Sequence, residues 1–320
     1  MEAADIKTIG IVGAGLMGHG IAQVFAFRGF RVNIFDVDHA AMRAVPDRIR
    51  ENAVVFEALG LVSAERIAEG LDNITLCKTL PDLVDGAQMV IEAVSEKLDL
   101  KTAVFREIEH HAAADAILCS NTSAISITDI SRGLRRPERF LGTHFWNPPH
   151  VLPCVEVIKG EATSEQVFET VCELLQSAGK DPVRVLKDVP GFLGNRLQHA
   201  MWREAVALVE MGIAHPEDID KVVKNGFGLR CAFLGPLETA DLAGIDLSRE
   251  VHAYLFPFLS ATTRPSPLLD DMCRANQLGA KTGRGFHDWP EAKRQNFVRQ
   301  RDETLLKILA MRRPRAKAEE

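Results

Sequence analysis

Thr8-Ile9-Gly10-Ile11-Val12-Gly13-Ala14-Gly15-Leu16-Met17-Gly18-His19-Gly20 runs from an apolar segment through a glycine turn into an amphipathic stretch. Residues 13–18 fit GxGxxG between a strand and a helix. Gly13 permits the tight turn, Gly15 lets backbone amides approach a pyrophosphate, and Gly18 lets the helix pack closely on the sheet. The helix N-terminus, entered through Leu16 and Met17, offers partial positive charge to phosphates. Asp36 follows at the end of a second apolar run, where a carboxylate accepts from adenosine ribose hydroxyls. The next residues are Val37, Asp38 and His39, with no arginine to receive a 2′-phosphate, so NAD is expected rather than NADP. The competing reading is a glycine-rich helix cap with Asp36 as a solvated charge.

Working outward, 320 residues allow two domains. The net charge of −6 argues against a constitutive nucleic-acid binder. A hydrophobic content of 46% with 26% charged residues suits a chain with a sizeable core. Six cysteines with no CxxC pair suit neither zinc nor a disulfide framework, so no metal and a reducing, cytoplasmic setting are expected. The N-terminal apolar stretch is broken by glycines and His19 before membrane-spanning length, so neither a signal peptide nor membrane association is expected.

Short apolar runs alternate with amphipathic stretches, the pattern of an α/β doubly wound, mostly parallel sheet. Expected strands are 8–12, 32–35, 88–93, 116–119, 140–145, 155–158 and 183–186. Residues 39–71 read as an inserted helical hairpin that turns near Gly60, with Ser63 and Arg66 at a helix start. Pro190 suits a first helical turn, and from Phe192 to Glu210 the apolar positions Leu193, Leu197, Met201, Val206 and Val209 keep helical spacing. A sheet domain over 1–187 and a helical domain over 188–320 are expected, with a charged surface-helix tail from Pro290 that frays at 315–320.

Gly142-Thr143-His144-Phe145-Trp146-Asn147-Pro148-Pro149-His150 brings polar groups to the end of an expected strand. That is where ligands bind in doubly wound sheets. A neutral histidine can take the hydroxyl proton as hydride leaves a secondary alcohol. Glu156 lies in the otherwise apolar Cys154-Val155-Glu156-Val157-Ile158 and demands a partner if buried. His144 is the candidate, with Glu156 fixing its tautomer. Two alternatives stay open: His150 as base, and His144 as a core histidine with Glu156 facing outward.

Together with Val90-to-Lys101, Ser120-Asn121-Thr122-Ser123, Asp188-to-Asn195 and Gly279-to-Phe286, these motifs make the chain resemble the 3-hydroxyacyl-CoA dehydrogenase superfamily up to about Trp289. The resemblance implies a Rossmann domain with an inserted hairpin, and an all-α C-terminal domain that mediates homodimerisation. It implies His144 as base paired with Glu156, with Ser123 and Asn195 bonding the substrate oxygen. It places Glu96, Lys101, Asn147 and Lys281 on the family's nicotinamide and ribose contacts. Each has a plainer reading: Ser123 as a helix N-cap, Asn195 as a cap or bridge, the remaining charges as surface groups.

Two departures bear on the substrate. In CoA-using members the hairpin carries serine and lysine groups that meet CoA, whereas residues 51–59 here contain no lysine, although Arg48 and Arg50 are near. Residues 225–239 carry extra residues before Gly235-Pro236 and are similar to the lambda-crystallin (L-gulonate 3-dehydrogenase), carnitine dehydrogenase and pyridine-carboxylate branch. In that branch an arginine at Arg230 would hold a free carboxylate bidentately. The expectation is a hydride transfer from the C3 hydroxyl of a small 3-hydroxy acid to NAD. The plainer reading of Arg230 is a surface or subunit-interface residue. A true 3-hydroxyacyl-CoA dehydrogenase of fatty acid metabolism is the alternative, and a non-catalytic NAD-binding or structural protein the third reading.

Overall fold

The computed structural model describes residues 1–312. Eight strands form one sheet: β1 (Thr8–Val12), β2 (Arg31–Phe35), β3 (Ile74–Leu76), β4 (Met89–Glu92), β5 (Ile117–Ser120), β6 (Phe140–Phe145), β7 (Cys154–Lys159) and β8 (Asp181–Val185). Their order is β3-β2-β1-β4-β5-β6-β7-β8, and every pairing is parallel except β6 with β7. The order reverses between β1 and β4, which opens a crevice beyond their carboxyl ends. β1, β4 and β5 are buried along their whole length, as strands covered on both faces must be.

The first eight helices are α1 (Gly18–Ala26), α2 (His39–Arg43), α3 (Val45–Ala58), α4 (Ala64–Asp72), α5 (Leu80–Val84), α6 (Leu98–His111), α7 (Ile127–Ser131) and α8 (Glu165–Ser177). One core cluster joins Ile9, Ile11, Ile91 and Val157 to Phe25 of α1, Ile49 of α3 and Phe168 of α8. A second joins Val90, Leu118 and Phe140 to Leu83 of α5, Phe105 of α6 and Ile127 of α7. Alternate strand residues thus feed the two faces.

The inserted segment is α2, α3 and α4 rather than two helices, because Asp38 caps a short first helix through the amides of Ala40 and Ala41. Ser63 caps α4 through the Arg66 amide, as the sequence suggested. β3 was not expected, being three residues long and mostly exposed.

The remaining helices are α9 (Gly194–Glu210), α10 (Pro216–Asn225), α11 (Phe227–Arg230), α12 (Pro236–Ala243), α13 (Ile245–Leu255), α14 (Pro267–Arg274) and α15 (Glu291–Arg312). α9 starts at Gly194 rather than near Pro190, since Gly191 and Phe192 stand at φ 78° and 49° and interrupt any helix there. The described residues form two compact units: residues 1–195 with 301–312, and residues 196–300. Within the second, the Ser260 amide donates to Glu204 and the Ser266 hydroxyl to Glu210. α15 begins in the second unit and ends in the first, where Leu306 is buried, so it is more than a surface helix. The fraying expected at 315–320 lies outside the described residues.

Candidate active site

Gly13 has φ 106°, and a Cβ there would stand 2.7 Å from the Ala93 carbonyl oxygen. A Cβ on Gly18 would meet the Gly13 carbonyl oxygen at 1.7 Å, so both positions exclude any side chain. Gly15 differs: its Cβ would meet nothing within 4 Å, so the protein itself does not require glycine there. The open space in front of it is what a pyrophosphate approaching the helix N-terminus needs. Leu16 is exposed and Met17 half-buried in this turn. Asp36 accepts from the Ala14 amide through Oδ2 at 2.7 Å and from the Asp38 amide through Oδ1 at 2.9 Å. A carboxylate oxygen takes more than one bond, so Asp36 retains acceptor capacity for a ribose. These residues fit a dinucleotide.

Across the antiparallel β6–β7 pair, His144 stands directly opposite Glu156. His144 Nδ1 lies 2.7 Å from Glu156 Oε2, and both side chains are buried. Glu156 Oε1 accepts from the amides of Leu193 and Gly194, each at 2.9 Å. Burial alone would raise the Glu156 carboxyl; the bonds from His144, Gly194 and Leu193 outweigh it and hold the group below its ordinary value. The left-handed Phe192, itself fully buried, turns the two amides inward. Trp146 and Phe192 flank the imidazole at ring-centroid distances of 5.2 and 5.9 Å. With Nδ1 facing a carboxylate, the proton sits on Nδ1 and Nε2 keeps its lone pair.

A second acidic cluster supports the loop after β5. Glu92 is fully buried and accepts from Lys101 Nζ at 2.7 Å and from Ser120 Oγ at 2.7 Å. Lys101 Nζ also donates to the Val94 carbonyl at 3.3 Å and lies 3.3 Å from Glu96 Oε2. Burial raises the Glu92 carboxyl despite these partners. At Glu96 burial also acts upward, yet the Thr122 hydroxyl, the Lys101 charge and two amides bring it below the usual range. Glu96 Oε1 accepts from Thr122 Oγ1 at 2.6 Å and from the amides of Ser123 and Ala124 at 2.8 and 3.0 Å. Asn195 Nδ2 donates to the Ser123 carbonyl at 2.7 Å. Ser123 is thus held at its amide and its carbonyl, and its hydroxyl stays at the surface. It is not a helix cap; Ser126 caps α7.

The NAD binding domain model of 3-hydroxyacyl-CoA dehydrogenase matches residues 8–189, and the C-terminal domain model of the same enzyme matches 191–289. The chain belongs to the 3-hydroxyacyl-CoA dehydrogenase family. It is an NAD-dependent dehydrogenase by kinship. It is 36% identical over 96% of its length to the 5-formyl-3-hydroxy-2-methylpyridine 4-carboxylate 5-dehydrogenase of Mesorhizobium japonicum, covering 98% of that protein. A probable 3-hydroxybutyryl-CoA dehydrogenase of Bacillus subtilis is 38% identical over 90% of this chain and 99% of its own. Among solved structures, an NAD+-dependent 5-formyl-3-hydroxy-2-methylpyridine 4-carboxylic acid 5-dehydrogenase superimposes with a TM-score of 0.90 at 36% identity, over 96% of this chain and 98% of that one. The (S)-3-hydroxybutyryl-CoA dehydrogenase of Ralstonia eutropha gives 0.75 at 36% identity, over 89% and 100%.

The structure of this 3-hydroxyacyl-CoA dehydrogenase family member gathers Gly13, Gly15, Gly18, Asp36, Glu96, Lys101, Ser123, His144, Glu156 and Asn195 in its first unit. Asn147 is exposed in the connection after β6. His150 follows in that connection with Nδ1 buried and unpartnered among the described residues, and burial with nearby cationic groups pulls it down to about 3. Arg230 and Lys281 belong to the second unit; both are exposed, and the Arg230 guanidinium has no partner among the described residues. Sequence reading missed three contributors: Glu92, Phe192 and the Leu193–Gly194 amides. Only the Pro190-Gly191 pair hinted at the last two.

Proposed function

We propose that this family member oxidises the C3 hydroxyl of a small hydroxy carboxylic acid that is not carried on CoA. The His144–Glu156 contact carries the chemistry. Glu156 orients the imidazole and stabilises the cation that forms when Nε2 accepts the hydroxyl proton. NAD, when bound by these residues, would supply the hydride acceptor. Ser123 Oγ and the remaining N–H of Asn195 hold the substrate oxygen as its charge develops. Asp36 and the Gly13–Gly18 turn, with Leu16 and Met17, bind the dinucleotide; Glu96, Asn147 and Lys281 complete its ribose and nicotinamide contacts. His150, held neutral down to about pH 3, is poorly matched to general-base work near neutrality, which favours His144.

The preference for a free acid rests on the likeness to a dehydrogenase named for a pyridine carboxylate, which extends over more of this chain than that to the CoA-named relatives. The absence of lysine from residues 51–59 supports it, as does Arg230, which has no partner among the described residues and which we assign as the carboxylate clamp. On this reading the chain belongs with the lambda-crystallin-like and pyridine-carboxylate branch. NADH formation is to be compared for 3-hydroxybutyryl-CoA, L-gulonate, carnitine, 3-hydroxybutyrate and a hydroxypyridine carboxylate. Turnover with a free acid supports the reading. Turnover with the thioester alone overturns the substrate class, and none with any compound overturns the activity.

The second unit supports a homodimer. No helix from α9 to α14 has a fully buried residue, and Leu237, Leu242, Ile245, Tyr254 and Phe258 are exposed. So large an apolar surface calls for a partner, and a second copy is proposed. Light scattering that returns a monomer mass overturns this. A cytoplasmic, reducing location accords with six free thiols, and no described helix is long and apolar enough to cross a membrane.

A further inference from the structure

The stretch of chain that serves Glu156 is bonded at both ends to a single loop. Between β8 and α9, Asp188-Val189-Pro190-Gly191-Phe192-Leu193-Gly194-Asn195 carries the two amides that occupy Glu156 Oε1. At the far end of this arc Asn195 Nδ2 donates to the Ser123 carbonyl at 2.7 Å. At the near end Asp188 Oδ2 accepts from Ser126 Oγ at 2.6 Å and from the Thr128 amide at 2.8 Å. Ser123, Ser126 and Thr128 all belong to the connection from β5 into the first turn of α7. Every one of these contacts lies within the first unit.

The arc needs holding. Phe192 stands at φ 49°, a region that a side chain of its size keeps only where the surroundings impose it. Its buried ring anchors the middle of the arc in the core it shares with Leu118 and Phe140. Beyond it, a Cβ on Gly194 would stand 2.2 Å from Trp146 Cζ2, so the backbone there runs against the indole that flanks His144. Asp188 restrains the entering side. As a helix cap alone the carboxylate would be poorly chosen. Ser126 already caps α7 by accepting from the Asp129 amide at 3.1 Å, and Asp188 Oδ1 is buried without a hydrogen-bond partner among the described residues. Leaving a buried oxygen unpaired is unfavourable. What the carboxylate adds is a bond between chain segments 62 residues apart.

We propose that Asp188 is a positioning residue for the dyad. By pinning the arc to Ser126 and Thr128, it keeps the Leu193 and Gly194 amides on Glu156 Oε1 and Asn195 on the Ser123 loop. With that pin removed, the strained turn at Phe192 relaxes, one oxygen of the buried Glu156 loses its donors, and the carboxylate no longer holds the His144 ring in one orientation. The kinetic consequence rests on the activity proposed above, whereas the structural one does not.

The test combines hydrogen exchange with steady-state kinetics on the full chain. In Asp188→Ala, exchange in the peptide containing Leu193 and Gly194 should quicken about tenfold or more, with the glycine turn at 13–18 unchanged. Turnover of a hydroxy acid should fall about tenfold to a hundredfold, the scale of a small misplacement of catalytic groups. Asp188→Asn keeps an oxygen that accepts both bonds and should stay within about threefold of wild type in both readouts. Combined with Glu156→Gln, Asp188→Ala should cost less kcat than the product of the two single losses, because both act through one carboxylate. Should Asp188→Ala fail to fold, Ser126→Ala removes the partner hydroxyl and should quicken exchange in the same peptide. Faster exchange confined to α7, full multiplication of the two kcat losses, or Asp188→Asn behaving as Asp188→Ala overturns the proposal. A wild-type protein that turns over no hydroxy acid strikes the activity instead, and exchange at Leu193 and Gly194 then decides the role of Asp188.

Discussion

His144 and Glu156 are register partners across the one antiparallel pairing among the described strands. That register aims two side chains twelve residues apart at one another, and the amides of Leu193 and Gly194 occupy the second carboxylate oxygen. Each oxygen of Glu156 thus has a defined task. His144→Gln removes the base, so turnover should fall on the order of 10²–10⁴-fold while NAD affinity stays as it was. Glu156→Gln keeps the shape but permits the wrong tautomer, with a loss of similar order. Stopped-flow hydride transfer alongside cofactor fluorescence separates the two effects. Activity retained in His144→Gln would redirect attention to His150.

The same carboxylate makes a pH prediction. Glu156 titrates below its ordinary value in the folded protein, so the unfolded chain binds its proton first as pH falls. The stabilisation is full above the unfolded value of about 4.3 and is lost on acidification through the folded one. The melting temperature of the wild-type chain should therefore drop more steeply below about pH 4 than that of Glu156→Gln. Parallel acid limbs in the two proteins would contradict this.

Glycine substitutions divide fold from cofactor. Gly15→Ala meets no protein atom, so its melting temperature should match the wild type while NAD affinity falls by about tenfold or more, because the methyl occupies the pyrophosphate approach. Gly18→Ala drives a methyl into the Gly13 carbonyl and should cost about 1–3 kcal/mol of stability, the usual penalty of overpacking. Thermal melts and NAD titration of the pair read the contrast. If Gly15→Ala lowers the melting temperature while NAD affinity stays at the wild-type value, Gly15 serves the fold and not the pyrophosphate.

The nucleotide turn was legible because its demands are local: three glycines, a strand before them and an acid after the next strand. The dyad was half legible, since a glutamate in an apolar strand asks for a partner, but the partner's identity depends on strand register. Lys101 was the hardest to read. The family resemblance places it among cofactor contacts, whereas the fold buries it against Glu92, a residue whose own burial no local pattern announces. β3 left no mark because three exposed residues carry no periodicity. Leu306 docks from a helix whose charged residues hide any apolar stripe, so only the tertiary structure shows that α15 returns to the sheet unit.

Lys101 supplies the last prediction. Its three N–H groups face Glu92, the Val94 carbonyl and Glu96, which leaves none for a ribose hydroxyl. It is therefore a positioning residue: it holds Glu96, which holds the amide of Ser123. Lys101→Met strands the buried Glu92 carboxylate and should destabilise the chain by about 3–5 kcal/mol, the cost of breaking a buried pair from one side. The double variant Lys101→Met/Glu92→Gln removes both charges and should recover most of that loss. In the double variant kcat should fall and KM for the hydroxy acid rise as the Ser123 loop loosens, with NAD binding weakened only indirectly through Glu96, by no more than about tenfold. A direct cofactor contact predicts weaker NAD binding with the substrate parameters spared, and the two titrations on one protein decide between them.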